Sequence, residues 1–289
     1  MSSAVVQYLG RGIACILLAS ILCWPLASRA AELDPKSVLV KTPDEFNWRD
    51  ATRGHAELYG DPKTSGLFIY INQFKPNRFG ESHYHPNDRL VMVVAGAPWR
   101  GTGPIVDWDH ATRVPKGTFM IDYHGKDHWD GTKDESGAYL IFGYGPEGQT
   151  PAPKVPGPYA GGDPSAVTFV MPDQIPWKPF GDHERAVLYG DPSKPGLYAF
   201  LSRWPKGSNV FSHPHFHARD RFVYVLDGTW WVGTGNKFDP ANLTVPVKPG
   251  AFVTEFGKGV HWDGAKDDDV TLLIIGEGPL TTTRVEEVK

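Results

Sequence analysis

Cysteine is almost absent from this chain of 289 residues: the two that occur, Cys15 and Cys23, both fall within the first 30. Once that segment is removed, no disulfide, thiolate ligand or thiol nucleophile remains. Any metal must then be held by nitrogen and oxygen. An excess of positive charge is missing too, with 29 Lys and Arg against 33 Asp and Glu. Loss of the first 30 residues takes Arg11 and Arg29 but no acid, leaving 27 basic residues against 33 acidic ones. With no polybasic run, this balance argues against nucleic acid or an anionic membrane surface as partner. The chain also lacks a glycine-rich phosphate loop, a serine elbow and a sustained helical period.

What the first 30 residues do contain is an apolar run, Ile13 to Leu26, preceded by Arg11 and followed by Ser28-Arg29-Ala30. The run is shorter than the roughly 20 residues of a spanning helix and includes Pro25. Residues 1–30 therefore read as a signal peptide cleaved near Ala31. The expectation is an exported protein, periplasmic or secreted, with no stable membrane insertion after cleavage.

The remainder repeats itself at an offset of about 130 residues. Leu58-Tyr59-Gly60-Asp61-Pro62 returns as Leu188-Tyr189-Gly190-Asp191-Pro192, and His83-Tyr84-His85 with Asp88-Arg89 returns as His215-Phe216-His217 with Asp220-Arg221. Gly96, Trp99 and Gly101 return as Gly228, Trp231 and Gly233, and His128-Trp129-Asp130-Gly131 as His261-Trp262-Asp263-Gly264. Even Pro43-Asp44 and Trp48 are echoed by Pro172-Asp173 and Trp177. Residues 31–150 and 167–289 are expected to form two domains, joined by a Pro- and Gly-rich linker over 151–166. In the first copy, β-branched and aromatic runs predict strands over Leu67–Phe74, Arg89–Ala95, Thr118–Tyr123 and Ala138–Phe142. The second is expected to have strands over Leu197–Trp204, Phe222–Leu226, Ala251–Phe256 and Val270–Ile275. Each copy reads as an all-β sandwich or barrel.

Alternate side chains of a strand share a face, so an HxH pair projects two imidazoles to one side. A distant third histidine, His128 or His261, recurs in each copy, and six of the 11 histidines occupy these matched places. Neutral imidazoles in threes suit a divalent transition metal. The plainer alternative is that they hydrogen-bond within a polar barrel interior.

The stretches HYHPNDRLVMVVAG with PKGTFMIDYHGKDHWDG, and HPHFHARDRFVYVLDG with KPGAFVTEFGKGVHWDG, resemble the first and second motifs of the cupin superfamily. The mature chain as a whole resembles a bicupin. That resemblance implies two tandem double-stranded β-helix barrels of the jelly-roll type, with metal ligands His83, His85 and His128 in the first and His215, His217 and His261 in the second. One departure stands out. The family's first motif runs histidine, any residue, histidine, three or four residues, glutamate, six residues, glycine, and the glutamate position here holds Arg89 and Arg221. A three-histidine site is thus implied, unlike the three-histidine-one-glutamate site of oxalate decarboxylase-like bicupins.

Strand parity from His85 and His217 puts Arg89 and Arg221 on the histidine face, whereas a local bulge would instead turn Asp88 or Asp220 inward. An inward arginine is a candidate catalytic group that grips a substrate carboxylate or enolate oxygen; the alternative is a structural ion pair with a neighbouring aspartate. His213 shares the parity of the second pair and either extends the site or lies at an exposed strand end. Trp99, Trp129, Trp231 and Trp262 either line a pocket or pack.

Three-histidine cupins resembling this pattern include dioxygenases of diketones, thiols and aromatic acids. The expected function is a mononuclear metal enzyme acting on a small oxygen-bearing molecule, with Fe(II) favoured among Fe, Zn, Mn, Cu and Ni. The alternatives are a Lewis-acid lyase or isomerase and a non-catalytic carrier of metal or a small ligand. Both a monomer and a homo-oligomer fit, because two barrels in one chain already reproduce the pairing of single-domain cupins.

Overall fold

A computed structural model describes residues 31–49, 54–155 and 162–286; the expected signal peptide, at 1–30, lies outside them. Nearly all regular structure is β-strand, and all eight expected strands form, shifted by at most two residues except at Val270–Gly278, which runs three residues further. Among the described residues no helix is long and apolar enough to cross a membrane.

Each copy builds two sheets. In the first, a large sheet runs in the order Val167–Val170, Phe119–Asp122, Arg89–Gly96, Gly137–Tyr144, Leu67–Phe74, His55–Tyr59. It faces a smaller sheet containing His83–Tyr84, His128–Thr132 and Trp99–Thr102. The second copy repeats this, with Val38–Lys41, Phe252–Glu255, Arg221–Asp227, Val270–Gly278 and Gly196–Trp204 in the large sheet, and His215–Phe216, His261–Ala265 and Trp230–Thr234 in the small one. The result is two jelly-roll barrels.

The central strands are apolar at consecutive positions because both of their faces are buried. Leu90, Met92 and Val94 join a cluster that also holds Phe222, Tyr224 and Leu226, so one face of each large sheet packs against the other copy. Val91 and Val93 point the opposite way, into the first barrel's own core, and Val223 and Val225 into the second's. Arg89 and Arg221 share the parity of these inward valines, which settles which member of each Asp-Arg pair faces inside.

The sheets do not follow the boundaries expected from the repeat. Val38–Lys41 pairs antiparallel with Phe252–Glu255 of the second copy, and Val167–Val170 pairs with Phe119–Asp122 of the first. Each copy thus hands its leading strand to the edge of the other's large sheet, burying Val38 and Val167 and covering an open ladder. The linker is not wholly irregular either, since Thr150–Pro151 pairs with His83–Tyr84.

Candidate metal centres

His83 lies directly opposite His128 on antiparallel strands, and His215 lies opposite His261. The HxH spacing then brings His85 and His217 to the same face. The ligating nitrogens of each trio all lie within 4.8 Å of one another. Ring centroids are 4.8–5.2 Å apart in the first cluster and 4.5–5.2 Å in the second. All six rings are buried.

The hydrogen bonds assign their protons. Each Nδ1 faces a backbone carbonyl: Glu81 for His83 at 2.8 Å, Gly148 for His85, and Lys126 for His128 at 3.1 Å. The partners in the second cluster are His213 for His215 at 2.8 Å, Thr281 for His217 at 2.7 Å and Gly259 for His261 at 3.0 Å. A carbonyl only accepts, so Nδ1 carries the hydrogen and Nε2 keeps its lone pair. The Nε2 atoms of His85, His217 and His261 are buried with no hydrogen-bond partner, which is costly unless a cation takes the lone pair. Imidazoles locked through Nδ1 and converging through Nε2 fit a divalent transition metal.

Burial holds the rings of His83, His85, His128, His215 and His217 neutral. It pushes His85 down to about 2 with help from Arg89, His217 down to about 2 with help from Arg221, and His128 down to about 3. His83 and His215 are also lowered, chiefly by burial.

Arg89 and Arg221 do point inside, and each is ion-paired with the carboxylate directly across the strand pair. Arg89 donates to Asp122 at 2.9 Å, to Glu147 at 3.1 Å and to Tyr70 Oη at 3.1 Å. Arg221 Nε donates to Glu255 Oε2. Burial works against the charge of Arg89, and Tyr70, Asp122 and Glu147 more than offset it. Asp88 turns outward and accepts from the backbone N–H of His124 at 2.8 Å, and Asp220 accepts from that of Gly257 at 2.8 Å. Neither belongs to a histidine cluster.

Sequence reasoning passed over Asp122 and Glu255. Asp122 lies 3.7 Å from His128 Nε2, and Glu255 lies 3.5 Å from His261 Nε2. Burial opposes their ionisation, yet the arginines beside them hold both carboxyls well below the usual range. An available signal was the recurrence of an acid three residues after Phe119 and Phe252. Arg100, pairing with Asp122 at 3.3 Å and Asp130 at 3.1 Å, was also missed.

Trp129 and Trp262 are fully buried packing residues. A Cβ at Gly101 would meet the Trp129 indole at 2.1 Å, and one at Gly233 the Trp262 indole at 2.3 Å, so the repeated glycines make room for them. Trp99 and Trp231 lie under Lys133 and Lys266, whose ammonium groups are 4.0 and 3.7 Å from the ring centroids. His213 is exposed and stacks on Phe238, outside the cluster.

A cavity of about 380 Å³ opens beside the first cluster, lined by His83, Arg89, Tyr70, Asp130, Tyr139 and Glu147 among others. Its mixture of imidazole, carboxylate, phenol and guanidinium suits a small polar molecule.

No protein-family model and no curated protein matches the chain. Solved structures do. An oxalate decarboxylase from Lactobacillus farciminis, in a formate complex, aligns over 86% of this chain and 88% of its own, with a TM-score of 0.56 at 14% identity. A cupin 2 conserved barrel domain protein from Leptotrichia buccalis aligns over 85% of this chain and 99% of its own, with a TM-score of 0.57 at 13% identity. Vicilin from hazelnut, Corylus avellana, aligns over 86% and 88%, with a TM-score of 0.54 at 10% identity. A likeness at such identities is one of fold, and fold alone does not carry function. In fold the chain is a bicupin, two cupin barrels in tandem with a three-histidine cluster inside each.

Proposed function

We propose that the chain is a metal-dependent enzyme of the dioxygenase type, acting on a small oxygen-bearing organic substrate in the first barrel. Fe(II) is the favoured metal, and Zn, Mn, Cu and Ni share its preference for imidazole donors. The supporting observation is the cavity of about 380 Å³ that reaches both His83 and Arg89. A storage or structural site is closed by its own ligands, whereas a catalytic one keeps room for substrate. His83, His85 and His128 would hold the metal, which when bound polarises a substrate oxygen and, as Fe(II), also activates O₂.

The residues around them have separable roles. Arg89 keeps a fixed positive charge within 3.4 Å of His128 Nε2, where negative charge growing on a substrate oxygen is stabilised without reorganisation. Tyr70, raised by burial, stays protonated and donates to Glu147 at 3.0 Å, so that Arg89, Tyr70 and Glu147 form one rigid array. Arg221 occupies the matching position in the second barrel. We place this activity outside the cytoplasm, on the reading of residues 1–30.

A Lewis-acid lyase is the second reading. It would use the same ligands, and the oxalate decarboxylases among the fold neighbours favour it.

Metal content and O₂ uptake test the proposal together. The purified mature chain should carry stoichiometric metal, His85→Ala and His217→Ala should each lose one equivalent, and His85→Ala should abolish O₂ consumption with diketones, thiols or aromatic acids. Turnover of such substrates without O₂ uptake would select the lyase. A chain that never acquires stoichiometric metal would refute both.

A further inference from the structure

The two histidine clusters are built alike, but their carboxylates are not held alike. In the second barrel Glu255 is fully buried. Its Oε2 takes the N–H of Arg221, while its Oε1 has no hydrogen-bond partner and faces His261 Nε2 across 3.5 Å. His261 has already spent its N–H on the Gly259 carbonyl, and its Nε2 has no partner. Two acceptors with their lone pairs opposed in a dry interior repel each other. A cation between them removes the repulsion, and two ligands at the usual 2.0–2.2 Å from one metal lie roughly 3–3.5 Å apart.

In the first barrel this arrangement is pre-empted. Asp122 is shorter by one methylene, and the oxygen that faces His128, at 3.7 Å, is the one held by Arg89 and also by Arg100. The second barrel has no counterpart of Arg100: opposite Asp263, where Arg100 stands opposite Asp130, it carries Val232. Asp122 too has an unpartnered oxygen, Oδ1, but the one that faces His128 is the arginine-bound Oδ2; one arginine fewer and one methylene more leave free the very oxygen of Glu255 that faces His261.

We propose that Glu255 is the fourth protein ligand of the second metal site, so that the barrels hold their metals differently, by three histidines in the first and by three histidines and a carboxylate in the second. The carboxylate comes from the strand paired with the one that bears Arg221, because an arginine occupies the place nearer the HxH pair. The consequence is a division of labour. The first site keeps a coordination position for substrate beside its cavity, and the second is closer to saturated. This rests on the reading of the histidine clusters as metal sites.

Cobalt(II) distinguishes the two donor sets through its visible absorption. In the full chain, His85→Ala leaves only the second site intact and His217→Ala only the first, and each is titrated with Co(II). The expected result is two different spectra. Glu255→Gln added to His85→Ala should change the spectrum and weaken Co(II) binding at least about tenfold. Superimposable spectra from the two single-site chains would overturn the proposal, as would a Glu255→Gln chain with unchanged spectrum and affinity, leaving Glu255 as the ion-pair partner of Arg221 alone. The comparison of single-site chains does not alter Glu255, so it decides even where Glu255→Gln fails to fold. Co(II) uptake unaffected by either histidine substitution would instead refute the metal sites themselves.

Discussion

Arg89 and Arg221 stand at matched positions, yet the cost of losing them should differ. Asp122 keeps Arg100 when Arg89 is removed, whereas among the described residues Arg221 is the one arginine paired with Glu255. Stripping a buried carboxylate of its partner costs about 3–5 kcal/mol. Arg221→Met should therefore lower the stability of the metal-free chain by about that amount and Arg89→Met by clearly less, as read from urea unfolding; equal losses would contradict this account of the two networks. The histidines add a pH dependence whose sign is fixed by burial. His85, His128 and His217 fall to about 2–3 in the folded chain, against about 6.5 unfolded. Below pH 6.5 the unfolded chain binds protons that the folded one refuses, so stability drops as pH falls, by about 1.4 kcal/mol per unit for each ring. Asp122 and Glu255, lowered in the folded state, act in the same direction below about pH 4. The midpoint of the metal-stripped protein should thus decline steeply from pH 7 to pH 5, and a flat profile would mean that the rings are not buried and neutral. The histidines were legible because strand parity and the repeat mark them together. Asp122 and Glu255 were not, since their closeness to the histidines arises from cross-strand register, and register is set by sheet pairing rather than by spacing along the chain.

At the scale of the strand, the same period of two explains why the barrels could be read and their edges could not. Arg89–Gly96 and Arg221–Asp227 present alternate residues to two different cores, and this leaves a continuous apolar run that any reading recognises as a buried strand. Val38–Lys41 and Val167–Val170 are short and apolar and would serve equally well on either copy's edge, so nothing local says that they cross over. Their register gives the crossing a consequence for the sites. Val38 pairs with Glu255 and Val167 with Asp122, so each leading strand braces the carboxylate of the other copy. Val38→Asp, which sets a buried charge beside Glu255, should deplete metal from the second site while sparing the first. Val167→Asp should do the reverse. Metal analysis of each variant in the His85→Ala and His217→Ala chains resolves the two sites, and depletion on the same side as the substituted copy would show that the strands do not brace across.

The whole molecule is therefore more than two barrels on a string. An apolar cluster joins the large sheets, with Tyr59 and Phe222 at a ring-centroid distance of 4.1 Å, and Lys116 of the first copy reaches the Leu226 carbonyl of the second at 2.9 Å. The exchanged strands add ladder hydrogen bonds that no isolated half can make for itself. A fragment covering 31–155 carries the strand that the second barrel needs and lacks the one that closes its own sheet, and a fragment covering 162–289 has the converse deficit. Each alone would expose an unpaired edge together with an apolar sheet face, the combination that drives aggregation. Expressed together, each supplies the strand missing from its counterpart. The two fragments should accordingly be poorly soluble when made separately and should co-purify as a stable one-to-one complex when made together, with the metal content of the intact chain. Two independently soluble, metal-loaded halves would show instead that the exchanged strands are dispensable and that the barrels are autonomous units.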